Sequence, residues 1–339
     1  MSVTIGVIGG SGMYKLPGLE NVESVKVSTP FGEPSGEYVI GTLKGQKIAF
    51  LARHGAGHTI LPQDLNSRAN IYGFKSLGVK WLISVSACGS LKEEYAPGDI
   101  VIPDGLFDRT SGRQGTFFGN GCVAHVSIAD PFCKTLSKIL FEAGKKTGKK
   151  THMGGGLVTI NGPRFSTRTE SHIFRSWGLA LVNMTTVPEA QLAAEAEISY
   201  AVMNHVTDYD CWKEHDEAVT VESVIKTLMG NVDAAKDAIV NAVEAISSGD
   251  LKSDSWNKLK DALVSKRICS RMLSYDLPGR ERPDLTRLCP LRCSLFLLRS
   301  LRAQSLFRRR RVWTSRCSSI STGGLVREKR CRRRAIALK

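Results

Sequence analysis

No apolar run in this 339-residue chain approaches the ~20 residues that a membrane-spanning helix needs. The start, MSVTIGVIGGSGMYKL, lacks the charged segment and long apolar stretch of a secretory signal, so a cytosolic beginning is expected. The nine cysteines show no paired spacing, which argues against a disulfide framework and for reduced thiols. Neither Gly-x-Ser-x-Gly nor a catalytic-cysteine signature is present, so no covalent nucleophile announces itself. Acidic residues are scarce in one place only. From Lys266 to Lys339 there are 4 Asp+Glu against 21 Lys+Arg, a net of +17. From Met1 to Ser265 there are 28 against 26, a net of −2. The formal charge of +15 therefore belongs to the last 74 residues, and it does not argue for a polyanion partner of the rest. All seven histidines precede Ser265, and 18 of the 25 arginines follow it. We read residues 1–265 and 266–339 as separate segments.

Residues 1–265 alternate short β-rich runs with helical stretches. Val3–Ile8, Lys47–Ala52, Trp81–Val85, Gly98–Pro103, Leu157–Ile160 and Ser199–Val206 are continuous rather than alternating apolar runs, which suits strands buried on both faces. Pro188–Ala196 and Ala218–Ile246 have helical spacing, with Pro188 placed in a first turn. The expected fold is α/β: a single domain with a central mixed, mostly buried sheet flanked by helices. Several runs end in polar residues: Ser11, Arg53-His54, Ser86-Ala87 and Asp208. Ligands collect at the carboxyl ends of strands in such sheets, so a shared cleft is expected there.

Gly9-Gly10-Ser11-Gly12 could cradle a phosphate or serve as a tight turn; it fits neither the dinucleotide fingerprint nor the Walker loop. Arg53 is suited to a bidentate grip on phosphate and His54 to donating a second bond, the alternative being a surface loop. His54 and His58 stand four apart, but no carboxylate or cysteine completes a metal set, and no metal is expected. Ser86 supplies a hydroxyl better suited to an anion than to nucleophilic attack. In an extended segment Asp208 and Asp210 would share one side; such a pair can hold a proton for general-acid work, or simply cap a turn.

Taken in order, GVIGGSG, LARHGAGH, VSACGSL, NGPRFSTRTES, NMTTVPEA and TDYDCWKEH resemble the trimeric purine nucleoside phosphorylases, in their 5′-methylthioadenosine branch. The match runs from about Ile5 to Leu263. The resemblance implies that Ser11, Arg53, His54, Ser86 and Thr185 hold phosphate. It counts Ala87 with that set and packs it, with Phe165 and Met184, around the ribose. Ser166, Asp208 and Asp210 would face the purine, with Asp208 protonating its N7. Val221 and Val224 would form an apolar wall for a 5′-methylthio group, and His125 would be lent to a neighbour's pocket in a homotrimer. Inorganic phosphate is the expected co-substrate, with no cofactor and no membrane partner, in the cytoplasm. The tail allows three readings: a nucleic-acid or nuclear-targeting arm through Arg308–Arg311 and Arg327–Arg334, a membrane-surface helix, or an unselected extension. Its richness in Arg, Ser, Leu and Cys, without acidic partners, suits the third best. Nucleic acid is a partner, and the nucleus a second compartment, only if the first holds.

Overall fold

A computed structural model describes residues 3–10, 16–119, 121–213 and 221–264. Ser11 and the expected tail from Lys266 lie outside the described residues, as do the side chains of Val221 and Val224. Among the described residues no helix is long and apolar enough to cross a membrane.

The chain opens with β1 (Ile5–Gly9), β2 (Glu20–Val25), β3 (Tyr38–Leu43) and β4 (Gln46–Ala52), followed by α1 (Ser67–Ser76). Next come β5 (Trp81–Ser90), β6 (Ile100–Ile102), β7 (Gly105–Arg109) and α2 (Lys134–Lys145). Then follow β8 (Thr151–Met153), β9 (Gly156–Ile160), α3 (Arg168–Ser176) and β10 (Leu179–Asn183). The last elements are α4 (Thr186–Glu195), β11 (Ser199–Asp208) and α5 (Val221–Ser247). The described strands form one mixed sheet in the order β2-β3-β4-β1-β5-β10-β9-β7, with β11 joining β5 to β6 and β6 joining β8.

The continuous apolar runs arise because both sheet faces are covered. Ile8, Leu51, Leu82, Leu181, Tyr200 and Val202 enter a core beneath α1 and α4. Ile5, Val7, Phe50, Ile83, Ala201 and Met203 enter a second core with Leu136 and Leu140 of α2 and Ala235, Ile239, Ala242 and Val243 of α5. The expected α/β architecture is what the chain adopts. Helix α4 differs in detail: Val187 (ψ 131°) and Pro188 (φ −95°) are not helical, so the regular turns begin after Pro188. The ring of a proline holds the residue before it extended.

Strand β5 positions the site. It runs parallel to β1, β1 to β4, and β11 to β5, so these strands present their carboxyl ends on one edge. On one side β5 pairs with β1 over Trp81–Ser84 and then, antiparallel, with β10 over Gly89–Ser90. Val85–Cys88 in between have no ladder partner on that side, while β11 continues along the other. The sheet splits at that stretch. The strand, whose apolar run ends at Val85, continues to Ser90 because pairing with β11 and β10 carries it on.

Candidate active site

Into the split come side chains from four directions. Arg53 follows β4 and is 3% exposed. Its backbone N–H donates to the carbonyl of Gly9 (2.9 Å), which ties the glycine loop to the β4 end. Nη1 donates to Val85 O at 3.0 Å, and Nη2 to Ser84 Oγ at 2.7 Å and Ile8 O at 3.3 Å. Nε donates to Glu189 Oε1 at 2.6 Å, and Nη2 also reaches Oε2 at 3.2 Å. Glu189, in the first turn of α4, is 1% exposed; Ser84 Oγ (3.3 Å) and Tyr200 Oη (2.9 Å) donate to its Oε2. Burial alone would lower the Arg53 pKa, but the carboxylate beside it raises it overall. The expected bidentate grip on phosphate is corrected here, because the fork grips Glu189. A guanidinium carries five N–H groups, and the second N–H of Nη1 has no partner among the described residues.

His54 also differs from expectation. Its Nδ1 lies 2.8 Å from Ile60 O, and since a carbonyl only accepts, Nδ1 carries the proton. Burial, together with the nearby Arg53 and His58, lowers the imidazole pKa to about 4, so the ring is neutral at pH 7. Nε2 is then an acceptor, not the donor that the sequence suggested. The rings of His54 and His58 stack at 4.2 Å between centroids.

Ser86 and Thr185 do meet, Oγ to Oγ1 at 3.5 Å, because antiparallel β10 delivers Thr185 beside the unpaired stretch of β5. Asn183 Nδ2 steadies one end of that contact by donating to Ser86 Oγ at 3.4 Å, and also donates to Thr186 Oγ1, next to Thr185, at 2.6 Å. Ala87, the next residue of β5, accepts the Ser86 hydroxyl at its carbonyl (3.1 Å).

About three residues further along β5, or roughly 10 Å, lies a carboxylate pair. Asp208, the last residue of β11, accepts from Thr207 Oγ1 and from the Asp210 backbone N–H, both at 2.7 Å. Asp210 has φ +50°, so a turn brings the pair together rather than the alternation expected of an extended segment. Burial raises the pKa of Asp208, and the neighbouring Asp210 adds to the rise. Burial raises Asp210 likewise. Cys88 is buried near Asp208 with its thiol pushed well up, which disables it as a nucleophile.

The loop between β9 and α3 closes over this end. Ser166 O accepts the Cys211 thiol at 3.3 Å, and the half-buried Phe165 precedes it. Gly162 (φ +66°) lies against Met184, where an added Cβ would sit 2.6 Å from its Sδ. Trp212 donates to Ser90 O at 2.8 Å and carries the Arg175 guanidinium over its ring at 3.5 Å, which fastens the segment after the carboxylates. Ser166 thus stands against the segment that follows the carboxylates, and Met184 against the loop that carries Phe165 and Ser166.

Residues 4–244 match the model of the phosphorylase superfamily, a match that spans these strand ends. The chain belongs to that superfamily. It is 52% identical over 267 residues to an S-methyl-5′-thioadenosine phosphorylase of Koribacter versatilis, covering 79% of this chain and 91% of that protein. A Geobacter sulfurreducens S-methyl-5′-thioadenosine phosphorylase is 53% identical over 247 residues (73% and 86%). The crystal structure of a methylthioadenosine phosphorylase from an antarctic soil metagenomic library superposes with a TM-score of 0.75 at 46% identity, covering 78% of this chain and 93% of that one. A Schistosoma mansoni methylthioadenosine phosphorylase in complex with adenine gives 0.70 at 40% identity (73% and 93%). The resemblance carried by the six ordered motifs is met.

His125 is exposed, on a segment that pairs with Ala262–Val264. Val221 and Val224 begin α5, and their side chains are outside the described residues. Glu189, Ser84 and Tyr200 were missed from the sequence. One signal for Glu189 was present: an acid among the apolar residues of PEAQLAAEA.

Proposed function

We propose that this phosphorylase cleaves 5′-methylthioadenosine with inorganic phosphate, releasing adenine and 5-methylthioribose 1-phosphate. The observation that carries the reading is the two-ended arrangement along β5. A guanidinium N–H and two hydroxyls lie at the split, and a buried carboxylate with a raised pKa lies beside Gly89. Arg53, Ser86 and Thr185, with Ser11, His54 and Ala87, are the phosphate set. The one proton of the phosphate dianion matches the acceptor Nε2 of His54. Phe165 and Met184 pack against the sugar, and Ser166, Asp208 and Asp210 hold the base. The same reading assigns the apolar wall for the methylthio group to Val221 and Val224.

A phosphate oxygen attacks C1′ as the bond from C1′ to N9 breaks. The electron pair moves onto the purine and Asp208 delivers a proton to N7. The proton that phosphate loses as the ester forms restores Asp208 over the cycle. The anion stabilises the cation-like sugar while the carboxyl stabilises the leaving base. The chemistry requires no cofactor and no covalent enzyme intermediate. A homotrimer follows from the same reading, with the exposed His125 lent across the interface, in the cytoplasm.

The test is release of the free base with and without phosphate: adenine from methylthioadenosine and adenosine, hypoxanthine from inosine. We expect release from methylthioadenosine only with phosphate. Asp208→Asn should lower kcat about 10²- to 10⁴-fold, the usual range for a lost general acid, and shift relative preference toward inosine. Wild-type activity should fall as pH rises through the raised Asp208 pKa, because the working form is protonated. Phosphate-independent release, or unchanged preference in the variant, would sink the reading.

A further inference from the structure

The buried carboxylate of Glu189 is assigned no contact with substrate, yet it holds Arg53, which is assigned one. We infer that Glu189 is a positioning residue for phosphate: it holds the Arg53 guanidinium side-on, so that a single N–H of Nη1 is presented to the anion. The inference rests on the phosphorolytic reading above.

Four facts lead to it. Arg53 approaches Glu189 through Nε (2.6 Å) and Nη2 (3.2 Å), which is the side-on geometry and leaves Nη1 at the far corner. Nη1 is the nitrogen whose partner, Val85 O, lies in the unpaired stretch of β5. Nη2 is saturated by Ser84, Ile8 and Glu189, so it has nothing left for a ligand. The carboxylate is itself fixed by two hydroxyls, Ser84 and Tyr200, from two neighbouring strands, β5 and β11.

A buried ion pair of this kind is weak evidence for stability, because desolvation offsets its attraction. Its geometry, however, decides where the guanidinium can point. It also compensates the charge of Arg53, so phosphate meets oriented donors rather than a bare cation. Removing the carboxylate frees the guanidinium to rotate and leaves the hydroxyls of Ser84 and Tyr200 without their acceptor. Phosphate binding should suffer and nucleoside binding should not.

The experiment measures adenine release by the full chain with phosphate and methylthioadenosine varied independently. Wild-type phosphate dependence comes first, since its absence refutes the functional reading rather than this one. With it in hand, Glu189→Gln should raise the phosphate KM roughly tenfold or more, as expected for the loss of charge-assisted bonds, while the methylthioadenosine KM stays within about twofold. Tyr200→Phe removes one of the two hydroxyls on Oε2 and should give the same split at about two- to fivefold. An unchanged phosphate KM in a folded Glu189→Gln, or parallel changes in both KM values, overturns the assignment. Where Glu189→Gln does not fold, Tyr200→Phe decides: a selective rise in phosphate KM supports it and an unchanged value overturns it.

Discussion

At the scale of single residues, burial sets protonation in opposite senses for different groups. Asp208 and Asp210 are driven toward their neutral acids, which is what a proton donor at pH 7 requires. His205, on β11 beside them, is driven toward its neutral base, its pKa lowered from 6.5 to about 4 by burial and by Lys149. Neither of its ring nitrogens has a hydrogen-bond partner among the described residues. The unfolded chain protonates this histidine below pH 6.5 and the folded chain does not. Its contribution to stability is therefore complete above that pH and lost as pH falls toward 4, by up to roughly 3 kcal/mol. The aspartates act in reverse, stabilising at low pH and ceasing to as pH rises through their raised values. His205→Phe, similar in shape but unable to titrate, should unfold at about the wild-type temperature at pH 7.5. Between pH 6.5 and 4.5 it should lose clearly less. Thermal melts at several pH values check this, and parallel curves for variant and wild type would refute it. None of it was legible in the sequence, where His205 is one polar residue inside an apolar run.

At the scale of elements, the strands that show in the sequence are those buried on both faces. Trp81–Val85 and Ser199–Val206 declare themselves because successive side chains enter the two cores. Strand β2 does not, since nearly all of ENVESV is exposed and the strand exists only through its antiparallel pairing with β3. The site residues followed the same rule. Arg53, Ser86, Thr185 and Asp208 stand at the ends of visible runs, whereas Glu189 meets Arg53 across 136 residues, a pairing no local pattern encodes. Gly89 of β5 is paired with β10 on one side and β11 on the other. A Cβ there would lie 2.9 Å from Asp208 Oδ1 and 3.1 Å from Val182 Cγ1. Gly89→Ala must push the carboxylate off its seat, because the strand backbones on either side are paired and cannot yield. We expect kcat to fall about tenfold or more, for a displacement near 1 Å, with a modest loss of stability from overpacking. A comparison of kcat with the melting temperature separates the two. A variant that melts early yet turns over normally would show that the glycine serves packing alone.

At the scale of the whole molecule, charge and anion binding prove to be separate matters. The +17 of residues 266–339 and the −2 of residues 1–265 make the chain strongly basic, yet the proposed phosphate site draws on neither. Its guanidinium is neutralised by Glu189, its histidine is uncharged at pH 7, and Ser86 and Thr185 bring hydroxyls. Such a site attracts phosphate by oriented short-range bonds rather than by a long-range field, and short-range bonds are little affected by screening. The phosphate KM should therefore change by less than about twofold between roughly 50 and 500 mM of a salt whose anion does not compete, although the Debye length shrinks about threefold over that range. The arginine-rich segment must behave differently. Contacts between arginines and a polyphosphate backbone release counterions, so any duplex DNA binding that the segment confers should weaken steeply with salt. A chain ending at Ser265 should lose that binding and keep both its phosphate KM and its flat salt response. The same titrations on the two chains check both statements. A phosphate KM that climbs with salt in step with DNA dissociation would mean that the basic segment feeds the active site, and the division at Ser265 would fail with it.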